Sequence, residues 1–207
     1  MTHPDIDAWI DTAFLRKTAV PARKYRETTP YPHAAVEHFL RPAKAKLLER
    51  HLRKQEFRRK GSDLFAFWQT SDLRDSGDPV IREFLAVMAS PEIRTWLREI
   101  TGVQVRSLDA MGVIYRDTDH LLCHDDELEG RKIAYILNLS RGFTAKDGGA
   151  LAILDSDRSG RPRDVVRRIA PTYNTFAFFT VSPRSHHQVE EVLTRKDRLT
   201  IGGWFHG

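Results

Sequence analysis

Apolar residues recur at helical spacing in the first hundred residues of the chain. Ile6, Trp9, Ile10 and Phe14 are separated by steps of three or four, or are adjacent, which predicts one short amphipathic helix. Prolines interrupt the pattern that follows, and we expect residues 18–32 to be irregular or extended.

Three more helices and a strand are predicted before residue 102. The last of these helices has the clearest signals: Ser90 is a suitable N-cap, Pro91 suits the first helical position, and Gly102 marks the end. The other predicted elements are a helix over residues 33–57 that bends near Pro42, a strand over 63–69 and a helix over 79–89.

From residue 103 the apolar pattern changes to a period of two, which is typical of strands. Turn-forming residues separate seven or eight short segments, and this spacing predicts a sandwich or barrel of the jelly-roll type. The predicted strands are residues 111–115, 134–139, 150–154, 164–169, 175–181, 187–193 and 198–206. We therefore expect one α+β domain over residues 1–207, in which a mainly helical support region (1–102) packs on one sheet of a jelly-roll core (103–207).

Composition narrows the functional classes without identifying one. The chain has 207 residues, a net charge of +5 and a single cysteine, Cys123, so an intramolecular disulfide framework is excluded. No apolar run reaches the roughly 20 residues that span a bilayer, so we predict a cytoplasmic protein that does not contact membranes.

Two candidate metal ligands lie between the predicted strands 111–115 and 134–139. His124 and Asp126 are two residues apart at the end of a strand, where alternate side chains point to one face. A third imidazole from His186 or His187 would complete two histidines and a carboxylate, the set typical of non-heme Fe(II) oxygenases.

Arg198 adds a possible binding partner for an anion. It follows His187 by eleven residues, and a hairpin of that length would place it on the strand beside the histidine, pointing inward with Thr200. Because an inward arginine in a barrel is costly without an anion, the simplest partner is a dicarboxylate held between the arginine and the metal.

These residues lie in segments that resemble the Fe(II)/2-oxoglutarate dioxygenases, and in particular their prolyl-hydroxylase branch that acts on a small-subunit ribosomal protein. The resemblance covers about residues 105–207 closely and in order. It is carried by LLCHDDELEG at 121–130, IAYIL at 133–137, DGGAL at 147–151, FFTVSP at 178–183, HQVEEV at 187–192 and RLTIGGWFH at 198–206.

The resemblance implies a double-stranded β-helix and a specific ligand set. His124, Asp126 and His187 would bind Fe(II), and Arg198 would bind the far carboxylate of 2-oxoglutarate. Tyr115 and Asn138 would also contact this cosubstrate, although relatives usually carry tyrosine at the position of Asn138.

The implied reaction uses O2 and releases succinate and CO2, with L-ascorbate as a reductant. Eukaryotic members of this branch carry a second jelly-roll domain, whereas this sequence contains one. We therefore expect a single-domain, bacterial-type prolyl hydroxylase whose substrate is a ribosomal or translation-associated protein.

Two alternatives remain open at this stage. The segment 41–60 carries nine basic residues, which could form a solvated face or a docking surface for RNA or a ribosomal partner. The chain could therefore be an oxygenase that acts on nucleic acid or on a small molecule. It could also be a catalytically silent jelly-roll binding module.

Two aromatic residues near the end of the sequence, Trp204 and Phe205, are predicted to be barrel core.

Overall fold

The computed structural model describes residues 4–207. Six α-helices lie in the first half of the described chain: α1 (Ile6–Trp9), α2 (Thr12–Leu15), α3 (Ala19–Glu27), α4 (Pro42–Leu52), α5 (Pro79–Met88) and α6 (Pro91–Thr101). Two short 3₁₀ turns, Leu73–Asp75 and Ala145–Asp147, complete the helical elements.

Helix α6 shows how the local sequence sets the element boundaries. The Ser90 side chain accepts a hydrogen bond from the backbone N–H of Ile93, and Gly102 ends the helix with a left-handed φ of 76°. Its buried stripe is Ile93, Trp96, Leu97 and Ile100. Each fully buried apolar side chain of this size stabilises the fold by about 1.5–3 kcal/mol.

Twelve strands form one antiparallel sheet that folds over on itself. They are β1 (His33–Val36), β2 (Arg58–Ser62), β3 (Phe65–Asp72), β4 (Ser107–Leu108), β5 (Met111–Tyr115), β6 (His120–His124), β7 (Arg131–Asn138), β8 (Leu151–Ser156), β9 (Pro162–Ile169), β10 (Thr175–Thr180), β11 (His187–Val189) and β12 (Arg198–His206). Their order is β1-β10-β7-β12-β5-β3-β6-β11-β8-β9, while β2 pairs with β3 and β4 pairs with β12.

The sheet has two facing walls, joined by β3, which pairs with β5 at one end and with β6 at the other. We name β1, β10, β7, β12 and β5 the helix-covered wall, because the helices pack on its outer face. Strands β6, β11, β8 and β9 form the opposite wall. This arrangement is the double-stranded β-helix, with helices packed on one sheet as predicted.

Alternation along β7 separates the core from the barrel interior. Ile133, Tyr135 and Leu137 pack against the helices, whereas Ala134 and Ile136 face the interior with side chains of the opposite wall. The period of two in the sequence therefore reports two different packed surfaces.

Three predictions for the first hundred residues were wrong in detail. The first predicted helix is two short helices, because Asp11 caps a new helix directly after α1. Residues 19–27 form α3, since Pro21 falls in the first turn, where no backbone N–H is needed. Pro42 begins α4 instead of bending a longer helix, because proline disfavours a helical conformation in the preceding residue.

The N-terminal half also supplies strands to the sheet. β1 pairs with β10, and β2 and β3 form a hairpin whose β2 residues are all exposed. Within residues 4–207, no helix is long and apolar enough to cross a bilayer.

Candidate metal and anion site

The two segments that carry the predicted metal ligands are neighbours in the opposite wall. β11 pairs with β6, and His187 lies directly across from His124. The register shifts between this pair and the pair Val189–Leu121, so a bulge in β6 brings both Leu121 and His124 to the interior.

Asp126 lies beyond the end of β6, in a turn with a left-handed φ of 64°. Such a conformation is uncommon for a residue with a side chain. It brings the carboxylate to both imidazoles: Oδ1 lies 3.4 Å from Nε2 of His124, and Oδ2 lies 3.3 Å from Nε2 of His187. Donor atoms of these three residues all lie within 4.8 Å of one another.

Backbone contacts fix which nitrogen of each imidazole faces this point. Nδ1 of His124 is 2.8 Å from the carbonyl of Leu122, and Nδ1 of His187 is 2.7 Å from the carbonyl of Ser185. Because a carbonyl only accepts, both Nδ1 atoms carry a proton, and Nε2 is left as the metal-binding atom in the neutral ring.

The electrostatics favour a charged carboxylate. Burial alone would raise the pKa of Asp126, but hydrogen bonds from His124 and His187 outweigh it and hold the pKa well below its usual range. For His124, burial lowers the pKa, and the interaction with Asp126 more than compensates, so the net pKa is raised.

The spacing of the three groups suits a metal ion. Two ligands at right angles, each about 2.1 Å from one ion, lie about 3 Å apart, close to the observed 3.3–3.4 Å. Two histidines and one carboxylate on a single face match the ligand set of non-heme iron sites.

Arg198 lies on the other side of the same cavity. Its side chain is 1% exposed, its Nε has no hydrogen-bond partner, and its guanidinium lies 5.0 Å from the Tyr115 ring centre. Burial lowers the pKa of Arg198 to about 10, so the group stays charged at neutral pH. In the described part of the chain, no carboxylate forms an ion pair with it.

The predicted position of Arg198 beside His187 was wrong, although its inward direction and that of Thr200 are as expected. β12 pairs with β4, β5 and β7, whereas β11 pairs with β6 and β8, so the two residues lie on different walls. The chain between them crosses from one wall to the other, as jelly-roll connections do.

One interior cavity of about 160 Å³ joins these groups. Its lining includes His124, Asp126 and His187 from one side, and Tyr115, Arg198 and Thr200 from the other. Asn138 does not line it: this residue is buried, its Oδ1 has no partner, and its Nδ2 lies 3.5 Å from the carbonyl of Thr175.

Two other histidines, His186 and His120, are close to the ligands in the sequence but do not point into the cavity. Nε2 of His186 is 2.8 Å from the carbonyl of Gly160, on the other face of the strand from His187. Nδ1 of His120 contacts the carbonyl of Thr118. Neither side chain lines the cavity.

Sequence reasoning missed three residues at this site. Trp204 was predicted to be barrel core, but it lines the cavity, and the Arg131 guanidinium stacks 3.4 Å from its ring centre. Nη1 of Arg131 also lies 3.7 Å from Oδ1 of Asp126. The alternation of β12 from Arg198 would have placed Trp204 inside. Gly149 has a φ of 65°, and a Cβ there would lie 2.9 Å from Cδ of Arg198.

The fold and the site define a jelly-roll protein with a histidine–aspartate–histidine metal-binding group that faces a buried cation. Residues 111–206 match the family model of the 2OG-Fe(II) oxygenase superfamily, and the chain belongs to that superfamily through this half. The superfamily name states the cofactor and cosubstrate, Fe(II) and 2-oxoglutarate.

Two relatives are similar in sequence to this chain over most of its length. The chain is 39% identical to prolyl 3-hydroxylase OGFOD1 from Xenopus laevis over 184 residues, covering 87% of this chain and 36% of that protein. It is 34% identical to prolyl 3-hydroxylase sudestada1 from Drosophila melanogaster over 221 residues, covering 99% and 41%. The chain thus spans only about two fifths or less of these relatives.

The fold is also that of a solved prolyl-4-hydroxylase from Pseudomonas putida. The TM-score is 0.73 at 17% identity, and the match covers 90% of this chain and 98% of that one. At this identity the likeness concerns the fold alone.

Proposed function

We propose that this chain is an Fe(II)/2-oxoglutarate-dependent dioxygenase that hydroxylates a prolyl residue in a protein substrate. The observation that carries the proposal is the shared cavity, in which the ligand triad and the buried Arg198 guanidinium face each other. A dication and a dicarboxylate together would compensate both groups of charges.

The residues present fit iron(II). His124, Asp126 and His187 would hold it through two Nε2 atoms and a carboxylate oxygen, because both Nδ1 protons are already donated to backbone carbonyls. Asp126 is ionised and can bind a dication directly, whereas His124 and His187 would give up the Nε2 protons that they donate to Asp126.

The residues also fit 2-oxoglutarate. The planar guanidinium of Arg198 matches a carboxylate bidentately, and its unpartnered Nε marks a donor in need of an acceptor. Burial raises the pKa of Tyr115 to about 12, so its hydroxyl keeps its proton and can donate to the same carboxylate. Because Asn138 does not line the cavity, we leave it outside the proposed set.

When bound, iron and 2-oxoglutarate supply the oxidising chemistry: 2-oxoglutarate loses CO2 to give succinate, and one oxygen atom of O2 enters the substrate. The chain itself orients these groups and excludes water. Phe179, Ile136 and Val189 supply apolar surface around the site, which limits side reactions of the oxidant with solvent.

The names of the relatives support a prolyl substrate. Both relatives are named prolyl 3-hydroxylases, which favours C3 over the C4 position named for the Pseudomonas putida structure. We propose a ribosomal or translation-associated target, which the exposed basic residues of α4 and β2 support. We also propose one domain over residues 1–207 and a cytoplasmic location, which the single free cysteine supports.

The test is turnover on a proline-containing ribosomal-protein peptide with Fe(II) and 2-oxoglutarate. We expect succinate and a peptide heavier by one oxygen atom, with NMR locating the hydroxyl on C3 or C4. His187→Ala should abolish both products. His186→Ala is the matched control and should retain them, because His186 points away from the cavity.

Three outcomes would contradict parts of the proposal. Turnover on alkylated oligonucleotides but not on peptides would overturn the prolyl substrate and favour a nucleic-acid oxygenase. Turnover on small molecules alone would also overturn the prolyl substrate and would favour a small-molecule oxygenase. Absence of succinate with every substrate would support a catalytically silent binding module.

A further inference from the structure

Ser185 connects the two chain segments that carry the proposed iron ligands. It is fully buried, its Oγ lies 2.8 Å from the carbonyl of Asp125, and its own carbonyl lies 2.7 Å from Nδ1 of His187. Asp125 stands between His124 and Asp126 in the sequence. We infer that Ser185 is a positioning residue that holds both ligand segments in place, an inference that rests on the proposed metal site.

The contacts of the hydroxyl indicate where its single proton goes. Oγ accepts a hydrogen bond from the backbone N–H of Ser182 at 3.0 Å, and two carbonyls, those of Ser182 and Asp125, lie 2.8 Å away. The Ser182 carbonyl already accepts the backbone N–H of Ser185 at 3.0 Å. Among the described hydrogen bonds the Asp125 carbonyl has only the Ser185 hydroxyl, so the proton is best used there.

This hydrogen bond acts directly on the conformation of Asp126. The carbonyl of Asp125 and the N–H of Asp126 belong to one planar peptide unit, so anchoring the carbonyl restricts the rotation that sets φ of Asp126. That φ is 64°, in the left-handed region, which costs free energy for a residue with a side chain, although aspartate adopts it more often than most residue types. Without the anchor, the turn can relax and carry the carboxylate away from His187.

The same residue also fixes the imidazole of His187. Because the Ser185 carbonyl accepts from Nδ1, it sets both the tautomer and the ring orientation. Ser185 therefore acts through two groups, its side-chain hydroxyl and its backbone carbonyl. Together they set the relative position of the Asp126 carboxylate and the His187 imidazole, which are 61 residues apart in the sequence.

The experiment measures metal affinity in the absence of turnover. Calorimetric titration with Mn(II), a redox-stable substitute for Fe(II), is applied to the wild-type chain and to Ser185→Ala. The affinity should fall by about 10-fold or more, as is usual when a group that orients a metal ligand is removed. Ser185→Cys, which keeps a weak donor of similar size, should give an intermediate loss and serves if the alanine variant does not fold.

Ser140→Ala is the matched control. Ser140 is also fully buried, and its hydroxyl donates to a backbone carbonyl, that of Leu199 at 3.1 Å. Thermal unfolding of the metal-free proteins should show similar losses for both alanine variants, whereas only Ser185→Ala should lose Mn(II) affinity.

The outcomes separate this inference from the proposed function. Wild-type Mn(II) affinity in Ser185→Ala, or in Ser185→Cys where alanine does not fold, would overturn the positioning role. An equal loss of Mn(II) affinity in Ser140→Ala would also overturn it. If the wild-type chain itself binds no Mn(II), the metal site and the proposed function fail together.

Discussion

Arg198→Met should make the metal-free protein more stable, although it removes a residue that the proposed reaction needs. The guanidinium is 1% exposed, has an unpartnered Nε, and pairs with no carboxylate of the described chain. Burial lowers its pKa from the usual value for arginine to about 10. That decrease corresponds to about 3 kcal/mol of cost for keeping the charged group in the folded state at neutral pH.

Methionine removes this cost but also removes a favourable contact. The guanidinium lies 5.0 Å from the Tyr115 ring centre, and a buried cation–π contact is worth about 1–2 kcal/mol. The balance is a gain of about 1–2 kcal/mol in the free energy of unfolding. For a chain of this size, each kcal/mol corresponds to about 2–4 °C in Tm, so we expect a rise of several degrees.

The assay is unfolding of the dialysed, metal-free protein, followed by unfolding with Mn(II) and 2-oxoglutarate. Saturating 2-oxoglutarate at 100 times its Kd should stabilise the wild type by about 2.7 kcal/mol and should leave Arg198→Met almost unchanged. Arg116→Met is the control: Arg116 lies 4.4 Å from the Trp68 ring centre but is about half exposed. Its removal should change stability by less than about 1 kcal/mol.

Two results would refute this reasoning. If metal-free Arg198→Met is less stable than the wild type by 1 kcal/mol or more, the buried guanidinium is not an uncompensated charge. If 2-oxoglutarate stabilises both proteins equally, Arg198 does not hold the cosubstrate.

Two further predictions concern the loop around residues 147–149. Gly149→Ala should destabilise the protein by about 1–2 kcal/mol through its φ of 65° and should also reduce the stabilisation by 2-oxoglutarate, because the new Cβ lies 2.9 Å from Cδ of Arg198. Gly160→Ala shares the positive φ but meets nothing within 4 Å, so an equal loss of cosubstrate binding there would contradict the steric argument. Hydrogen bonds from Lys196 and Thr144 lower the pKa of Asp147 from 3.8 to about 2. Asp147 therefore contributes stability above pH 4 that is lost between about pH 4 and 2. Acid titration of Asp147→Asn should show a flatter decline over that interval, and an unchanged decline would contradict the assignment.

Local signals were sufficient where one element determines its own boundaries. The caps of α6, Ser90 and Gly102, follow from residue type alone, because the N-cap hydroxyl and the left-handed glycine satisfy groups within the same helix. The alternation along β12 likewise predicted that Arg198 and Thr200 face inward.

Long-range pairing decided what the sequence pattern could not. β1 is a strand because it pairs with β10, more than a hundred residues away, and the polar β2 is a strand because it pairs with β3. No local alternation of apolar residues marks either segment. The α3 helix was missed because Pro21 was treated as a break, although in a first turn it is tolerated.

The metal group shows a subtler limit. The spacing of His124 and Asp126 predicted convergence through simple strand alternation, but Asp126 is outside the strand and converges through a left-handed turn. The correct residues thus came from an incorrect geometric rule. Positive φ at an aspartate has no reliable local signature, since it depends on contacts such as the one that the Asp125 carbonyl makes with Ser185.

The division of the site between two walls explains why its parts need one another. His124, Asp126 and His187 belong to the opposite wall, while Arg198 belongs to the helix-covered wall, which the large core stabilises. Facing sheets are about 10 Å apart, so a ligand that contacts both the metal group and the guanidinium joins the walls directly. A metal ion alone would compensate only the charge of the ligand triad. The buried Arg198 guanidinium would stay without a counter-charge until the dicarboxylate binds. Binding of the cosubstrate should therefore depend on the metal more strongly than the metal depends on Arg198.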